Sequence, residues 1–175
     1  MNYFLRGIGV LTTVGVVSVL AFSLPSGEAR GDGGDYVLPR LKNKNWQQEC
    51  SSCHIAYAPA FLPRASWRRL MGDLDRHFGE NASLDPAIQA DILKFLEANA
   101  ADSGTSQMGR RVMQGMDAKA APLRLTETRW FAHKHDEVRP ATWSRKSVGS
   151  AANCAACHQK AEQGLFDDDS VRIPK

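Results

Sequence analysis

All four cysteines of the chain fall in two copies of one pattern, Cys50-Ser51-Ser52-Cys53-His54 and Cys154-Ala155-Ala156-Cys157-His158. Two thiols separated by two residues on a helical turn match the spacing of the two vinyl groups of one porphyrin, to which they add as thioethers. The adjacent histidine then points its imidazole at the iron. Two copies therefore predict two covalent c-type haems, with His54 and His158 as the proximal ligands. The alternatives are a four-cysteine zinc site and a pair of redox disulfides. Zinc knuckles usually lie much closer than the roughly 100 residues between Cys53 and Cys154. Redox C-x-x-C motifs usually sit near a βαβ pattern, and no stretch here alternates as a strand would.

Each iron needs one more ligand to be a closed electron carrier. Outside the two motifs the histidines are His77, His133 and His135. His77 follows Leu74 by three residues and Trp67 by ten, so it shares the apolar face of a helix and reads as the sixth ligand of the first haem. Met71, one turn away, is the competitor, although a methionine there is more often core filler. His133 and His135 cannot face the same way on one helix. Phe131, His135 and Val138 recur at i, i+4 and i+7, which selects His135 for the second haem, while His133 pairs with Trp130 and reads as a surface residue.

The elements that must position these groups are helical. Ser66 reads as the N-cap of a helix whose face carries Trp67, Leu70, Met71, Leu74 and Phe78, stopped by Gly79. A second helix starts at Ser83 or Asp85, with Pro86 in its first turn. It buries Ile88, Ile92, Phe95 and Leu96 and ends near Asn99. The stretch 108–125, with Gly109, Gly115 and Pro122, has no clear period. A short helix is expected over 126–138, ended by Pro140. Another, over 150–163, would carry the second haem motif and stop at Gly164. The fold class is mostly α, in two small helical lobes: a first haem lobe over 30–100, a linker over 101–107 and a second haem lobe over 108–175. Lobes this small seldom stabilise themselves by core packing alone, so a porphyrin plate is expected to complete each core. Without it the chain should be largely disordered.

Residues 1–29 read as an export signal. Arg6 precedes an uncharged apolar run from Gly7 to Leu24, and Gly27 and Ala29 are small residues at plausible cleavage positions. A retained membrane anchor is the alternative, since that run is close to the shortest that can span a bilayer. A net charge of +3 with scattered basic residues gives no reason to expect nucleic acid. Arg64, Arg68, Arg69 and Arg76 could form a basic docking face and Asp167, Asp168 and Asp169 an acidic one, though such groups are more often solvated surface.

The sequence resembles the bacterial dihaem cytochromes c of the DHC type. The matching stretches are Trp46 to His54, then Tyr57, Pro59, Leu62-Pro63, Ser66-Trp67 and His77 to Leu84. In the second half they are Trp130, His135, Asn153 to His158, Ala161, Gly164 and Val171 to Pro174. The resemblance implies bis-histidine ligation of both irons, a first lobe similar to class I cytochromes c, and a less regular second lobe. It implies a periplasmic, low-potential electron carrier. The partners it implies are a small oxygen-binding monohaem cytochrome c and a membrane cytochrome b. His133 is an extra histidine beside the second ligand position. The rival reading is a haem-based ligand sensor or a small peroxidase with one labile iron. It would need an open coordination position, and no acid–base set accompanies the motifs.

Overall fold

The computed structural model describes Leu38 and residues 41–175. The expected export signal over 1–29 lies outside the described residues. Helices and 3₁₀ turns make up the regular structure, and no strand occurs among the described residues.

The first helix, α1 (Lys44–Cys50), starts at Asn43, whose side chain accepts from the Trp46 backbone N–H at 2.7 Å. Its last residue is the first haem cysteine. Asn43 and Asn45 both donate to the Asp91 carboxylate, at 3.0 and 2.9 Å, and so tie α1 to α3 (Pro86–Ala98). α3 begins as read: Asp85 accepts from the N–H groups of Ala87 and Ile88, and Pro86 opens the first turn. Ile92 and Leu96 are fully buried and pack with Trp46, Leu62, Trp67, Met71, Leu74 and Ala100 as a first core.

The helix between them departs from expectation. α2 runs Arg64–Met71 and is entered from Pro63, not capped by Ser66. The Pro63 carbonyl already accepts from the N–H groups of Ser66 and Trp67, so helical bonding starts upstream. Ser66 is buried inside it, with a hydroxyl that lacks a partner. The helix also ends early, at Gly72. A 3₁₀ turn over Leu74–Arg76 follows, and the chain then doubles back: Ala82 N–H bonds Leu74 C=O at 2.8 Å, and Glu80 N–H bonds His77 C=O at 3.1 Å. Phe78 and Gly79 take positive φ, 54° and 104°, to make that reversal. Leu74 stays on the core face, but His77 is presented by a turn instead of a helix.

Residues 101–107 do not form a linker. Ala101–Ser103 is a 3₁₀ turn whose first N–H bonds Leu62 C=O at 2.9 Å, and Asp102 accepts from the Arg64 N–H at 2.9 Å. Ser106 then caps α4 (Gln107–Val112) by accepting from Gly109 N–H. Gly109 is required by close approach: a Cβ there would lie 2.6 Å from the Ala101 carbonyl oxygen. The polar look of the segment reflects turn and cap chemistry, not solvation. A second core of Leu38, Ala60, Phe61, Ala101, Met108 and Val112 closes over it, joined by Trp130 and Phe166. The two lobes thus share packing on both sides of the expected boundary.

α5 (Arg129–Lys134) is capped by Thr128, which accepts from Phe131 N–H at 3.1 Å, and is shorter than the periodicity suggested. Pro140 opens α6 (Pro140–Trp143) as well as following α5. The second haem segment is not a continuous helix. Cys154–Ala156 and Ala161–Gln163 are separate 3₁₀ turns, the latter ended by Gly164 at φ 73° as expected. A run of small alanines offers no apolar stripe to bury, so packing does not extend one turn into a helix.

Candidate metal centres

In the first half, α1 delivers Cys50 at its C-terminus and the chain turns through Ser51 and Cys53. Ser52 Oγ donates to Glu49 C=O at 2.8 Å and holds that turn against the helix end. His54 follows with its Nδ1 2.7 Å from the Ile55 carbonyl oxygen. A carbonyl can only accept, so Nδ1 carries the proton and Nε2 keeps a free lone pair. His77 faces it across the turn: the two ring centroids are 6.2 Å apart, with planes at 27°. A cavity of about 440 Å³ opens on the far side of His77, lined by Arg68, Arg69, Leu70, Asp73, Arg76 and Phe78, and neither His54 nor a motif cysteine borders it.

The second half repeats the arrangement with different parts. His135 closes α5, its Nδ1 2.9 Å from the Phe131 carbonyl oxygen, which again leaves Nε2 with a free lone pair. Its ring stacks on Phe131 at 4.1 Å and meets the edge of Trp143 at 5.8 Å. His158, held by its N–H to Cys154 C=O at 2.8 Å, lies 6.2 Å from His135 with planes at 80°. A cavity lined by Trp130, His135, Trp143, Cys154, Cys157 and His158 lies here. His133 points elsewhere: its side chain is 71% exposed and sits 3.8 Å from the Asp136 carboxylate. Met71 is buried in the first core, beside Trp67 and Leu74.

Burial shifts three of these imidazoles, His77, His135 and His158, toward the neutral form, the form that binds metal. Burial pushes His77 down from the ordinary histidine value, with further help from His54 and Arg124. Burial likewise lowers His135, and it lowers His158 with His135 adding to the effect. Burial, with Glu49 beside it, pushes the Cys50 thiol up to about 11. Burial also drives Cys154 up to about 11. These sites disfavour thiolate, whereas a thioether is uncharged and suffers no such penalty. All four cysteines are free of disulfides.

The donor set fits a haem at each centre. An imidazole nitrogen lies ~2 Å from a metal it binds and about 1 Å from its own ring centre, so two rings on opposite sides of one metal have centroids about 6 Å apart. Both pairs show that spacing. Indole Nε1 of Trp130 and Nδ1 of His158 are buried without a protein partner, which leaves polar groups beside the second cavity for a bound group to satisfy. Among the described residues no three His, Cys, Asp or Glu side chains converge as a cage for an ion, so the zinc alternative has no geometry to support it.

Sequence reasoning did not assign a role to Tyr57, whose ring lies 4.9 Å from His54. Nor did it find the Ile55 and Phe131 carbonyls that set the histidine tautomers. The three-residue spacing from His54 was the available signal for Tyr57; backbone acceptors leave none. The proposed basic docking face is largely spent internally. Arg68 pairs with Glu97, Arg76 with Asp73 at 2.5 Å, and Arg64 and Arg69 donate to the backbone carbonyls of Glu97 and Ala121. On the acidic side, Asp167 caps its own turn by accepting from Ser170 N–H.

The dihaem cytochrome c family model matches residues 46–166, a span that includes both attachment segments. The chain is similar to a diheme cytochrome c from Rhodobacter sphaeroides, at 46% identity over 72% of this chain and 98% of that one, with a TM-score of 0.66. It is also similar to the diheme cytochrome type c from Shewanella baltica OS155, at 38% identity over 75% of this chain and 93% of that one, with a TM-score of 0.61. None of the curated proteins matches. The chain therefore belongs to the dihaem cytochrome c family, and its two C-x-x-C-H segments hold two covalently attached haems.

Proposed function

We propose that the protein is a low-potential periplasmic electron carrier in which His54 and His77 bind one iron and His158 and His135 the other. The observation that carries this reading is the pairing of the imidazoles, each pair at 6.2 Å and each with at least one Nδ1 pinned by a backbone carbonyl. The haem iron, when bound, supplies the one-electron chemistry. The chain's part would be to supply both histidine ligands to each iron, to hold the rings in place so that little reorganises when the charge changes, and to exclude other ligands. Two histidines lower the potential relative to a Met/His pair. Two imidazoles on each iron would leave no open coordination position, which the sensor or peroxidase reading needs. The export reading of residues 1–29 supports the periplasm, and no described helix is long and apolar enough to cross a membrane. As partners we propose a small oxygen-binding monohaem cytochrome c and a membrane cytochrome b, on the strength of the family resemblance.

The test is the optical spectrum of His77→Ala. One of the two haems is expected to become high-spin and, when reduced, to bind carbon monoxide, whereas the wild type binds none. A variant that stays fully low-spin and closed to carbon monoxide would reject His77 as the ligand.

The ring planes make a second expectation. Near-parallel imidazoles donate π density along one direction and separate two iron d orbitals in energy. Near-perpendicular rings donate along both directions and leave those orbitals close together. The oxidised protein is therefore expected to show two different low-spin EPR signals in equal amount. The more anisotropic one belongs to the His135–His158 centre, at 80°, and the less anisotropic one to the His54–His77 centre, at 27°. Two identical signals would contradict this assignment of planes.

A further inference from the structure

One side chain reaches from the first centre to the second. Tyr57 lies against the His54 ring at 4.9 Å, and its hydroxyl donates to the Ala152 carbonyl oxygen at 2.5 Å across 95 residues of sequence. That same carbonyl accepts the backbone N–H of Cys154 at 3.1 Å. One oxygen atom thus joins the ring that packs on one proximal histidine to the cysteine that anchors the other haem.

A phenol and a carbonyl at this distance form a directional contact, unlike the ring packing that also joins the halves. Phe61, for example, stacks on Trp130 at 5.8 Å and meets the edge of Phe166 at 5.5 Å, contacts that tolerate sliding. The Tyr57 bond instead fixes the His54 segment and the Cys154 segment in one relative position.

We propose that Tyr57 is a positioning residue that locks the two haem attachment segments together and so sets the rate at which an electron passes between the two haems. The proposal rests on the two-haem carrier reading above. In the exchange one ferrous iron loses an electron and the other, ferric, gains it. Tyr57 keeps its O–H, and no proton moves. The bond from Tyr57 to Ala152 makes the locked arrangement more populated. A single net hydrogen bond is worth up to about a tenfold change in such a population.

The experiment uses the full chain with both haems. One electron is injected by flash photoreduction, and its equilibration between the haems is followed by absorbance. Tyr57→Phe keeps the ring against His54 and removes only the hydroxyl. It is expected to slow equilibration by up to about tenfold while both haems stay low-spin. Arg69→Met, which removes another hydrogen bond between the two halves, to Ala121 C=O, is expected to leave the rate within about twofold of wild type. Unchanged exchange in Tyr57→Phe, or equal slowing in Arg69→Met, would overturn the proposal. If Tyr57→Phe does not retain both haems, the wild type decides by NMR of the reduced protein. A slowly exchanging phenolic proton on Tyr57 supports the tie, and rapid exchange with solvent overturns it. A wild type without two low-spin haems would instead reject the carrier reading itself, a result visible before any electron is injected.

Discussion

His135→Ala is expected to convert the second haem to high-spin and to open it to carbon monoxide and cyanide, while His133→Ala leaves both haems closed. The two histidines are separated by one residue, yet they occupy different surroundings. His135 stacks on Phe131, hydrogen-bonds its carbonyl and faces His158. His133 is exposed beside Asp136. Loss of the sixth ligand should also raise the potential of that haem, because the remaining imidazole alone stabilises the ferric state less well. His133→Ala should cost less than about 0.5 kcal/mol of stability, as for other exposed positions. The measurement is the visible spectrum of each variant with and without carbon monoxide. A spectral change in His133→Ala but not in His135→Ala would reverse the ligand assignment and leave the carrier reading in place.

The double variant Cys154→Ser/Cys157→Ser is expected to retain one haem after acid–acetone extraction, since thioethers survive that treatment and an unattached haem does not. It should also lose much of the order of the second half. The walls of that centre are Phe131, Trp143 and Phe166, packed around His135 and His158. Each Å² of apolar surface left to water costs about 25 cal/mol, so about 100 Å² of these walls uncovered costs about 2.5 kcal/mol. Domain stabilities are about 5–15 kcal/mol, so the loss is a large share of the total. Thermal unfolding monitored by tryptophan fluorescence should show a transition at clearly lower temperature. Two haems retained through extraction, or an unmoved transition, would contradict the attachment assignment.

The chemistry of the two centres was legible in the sequence because covalent attachment is local. Two thiols and a histidine within five residues must meet one porphyrin, whatever the rest of the chain does, so Cys50, Cys53, His54, Cys154, Cys157 and His158 declare themselves. The α3 helix was equally legible, since Asp85, Pro86 and the apolar face through Leu96 are signals contained within the element. The resemblance to dihaem cytochromes c extended that reading over most of the chain, from Trp46 to Pro174.

What lay beyond the sequence depended on distant partners. The 3.6-residue period carried His77 onto a helix, but Gly72 ended the helix and the chain reversed, because the carbonyls of Leu74 and His77 found partners at Ala82 and Glu80 instead of along the helix. His77 still came to face His54, by a turn that periodicity does not describe. The same holds at 101–107, where Ser, Thr, Gly and Asp read as a linker, yet their side chains serve caps and turns that bring Ala101 against Leu62 and α4. The tautomers of His54 and His135, the angle between each ring pair and the bond from Tyr57 to Ala152 belong to the tertiary structure alone. Each is set by a backbone carbonyl or by a packed neighbour, and residue type records neither where a carbonyl points nor which ring will lie against it.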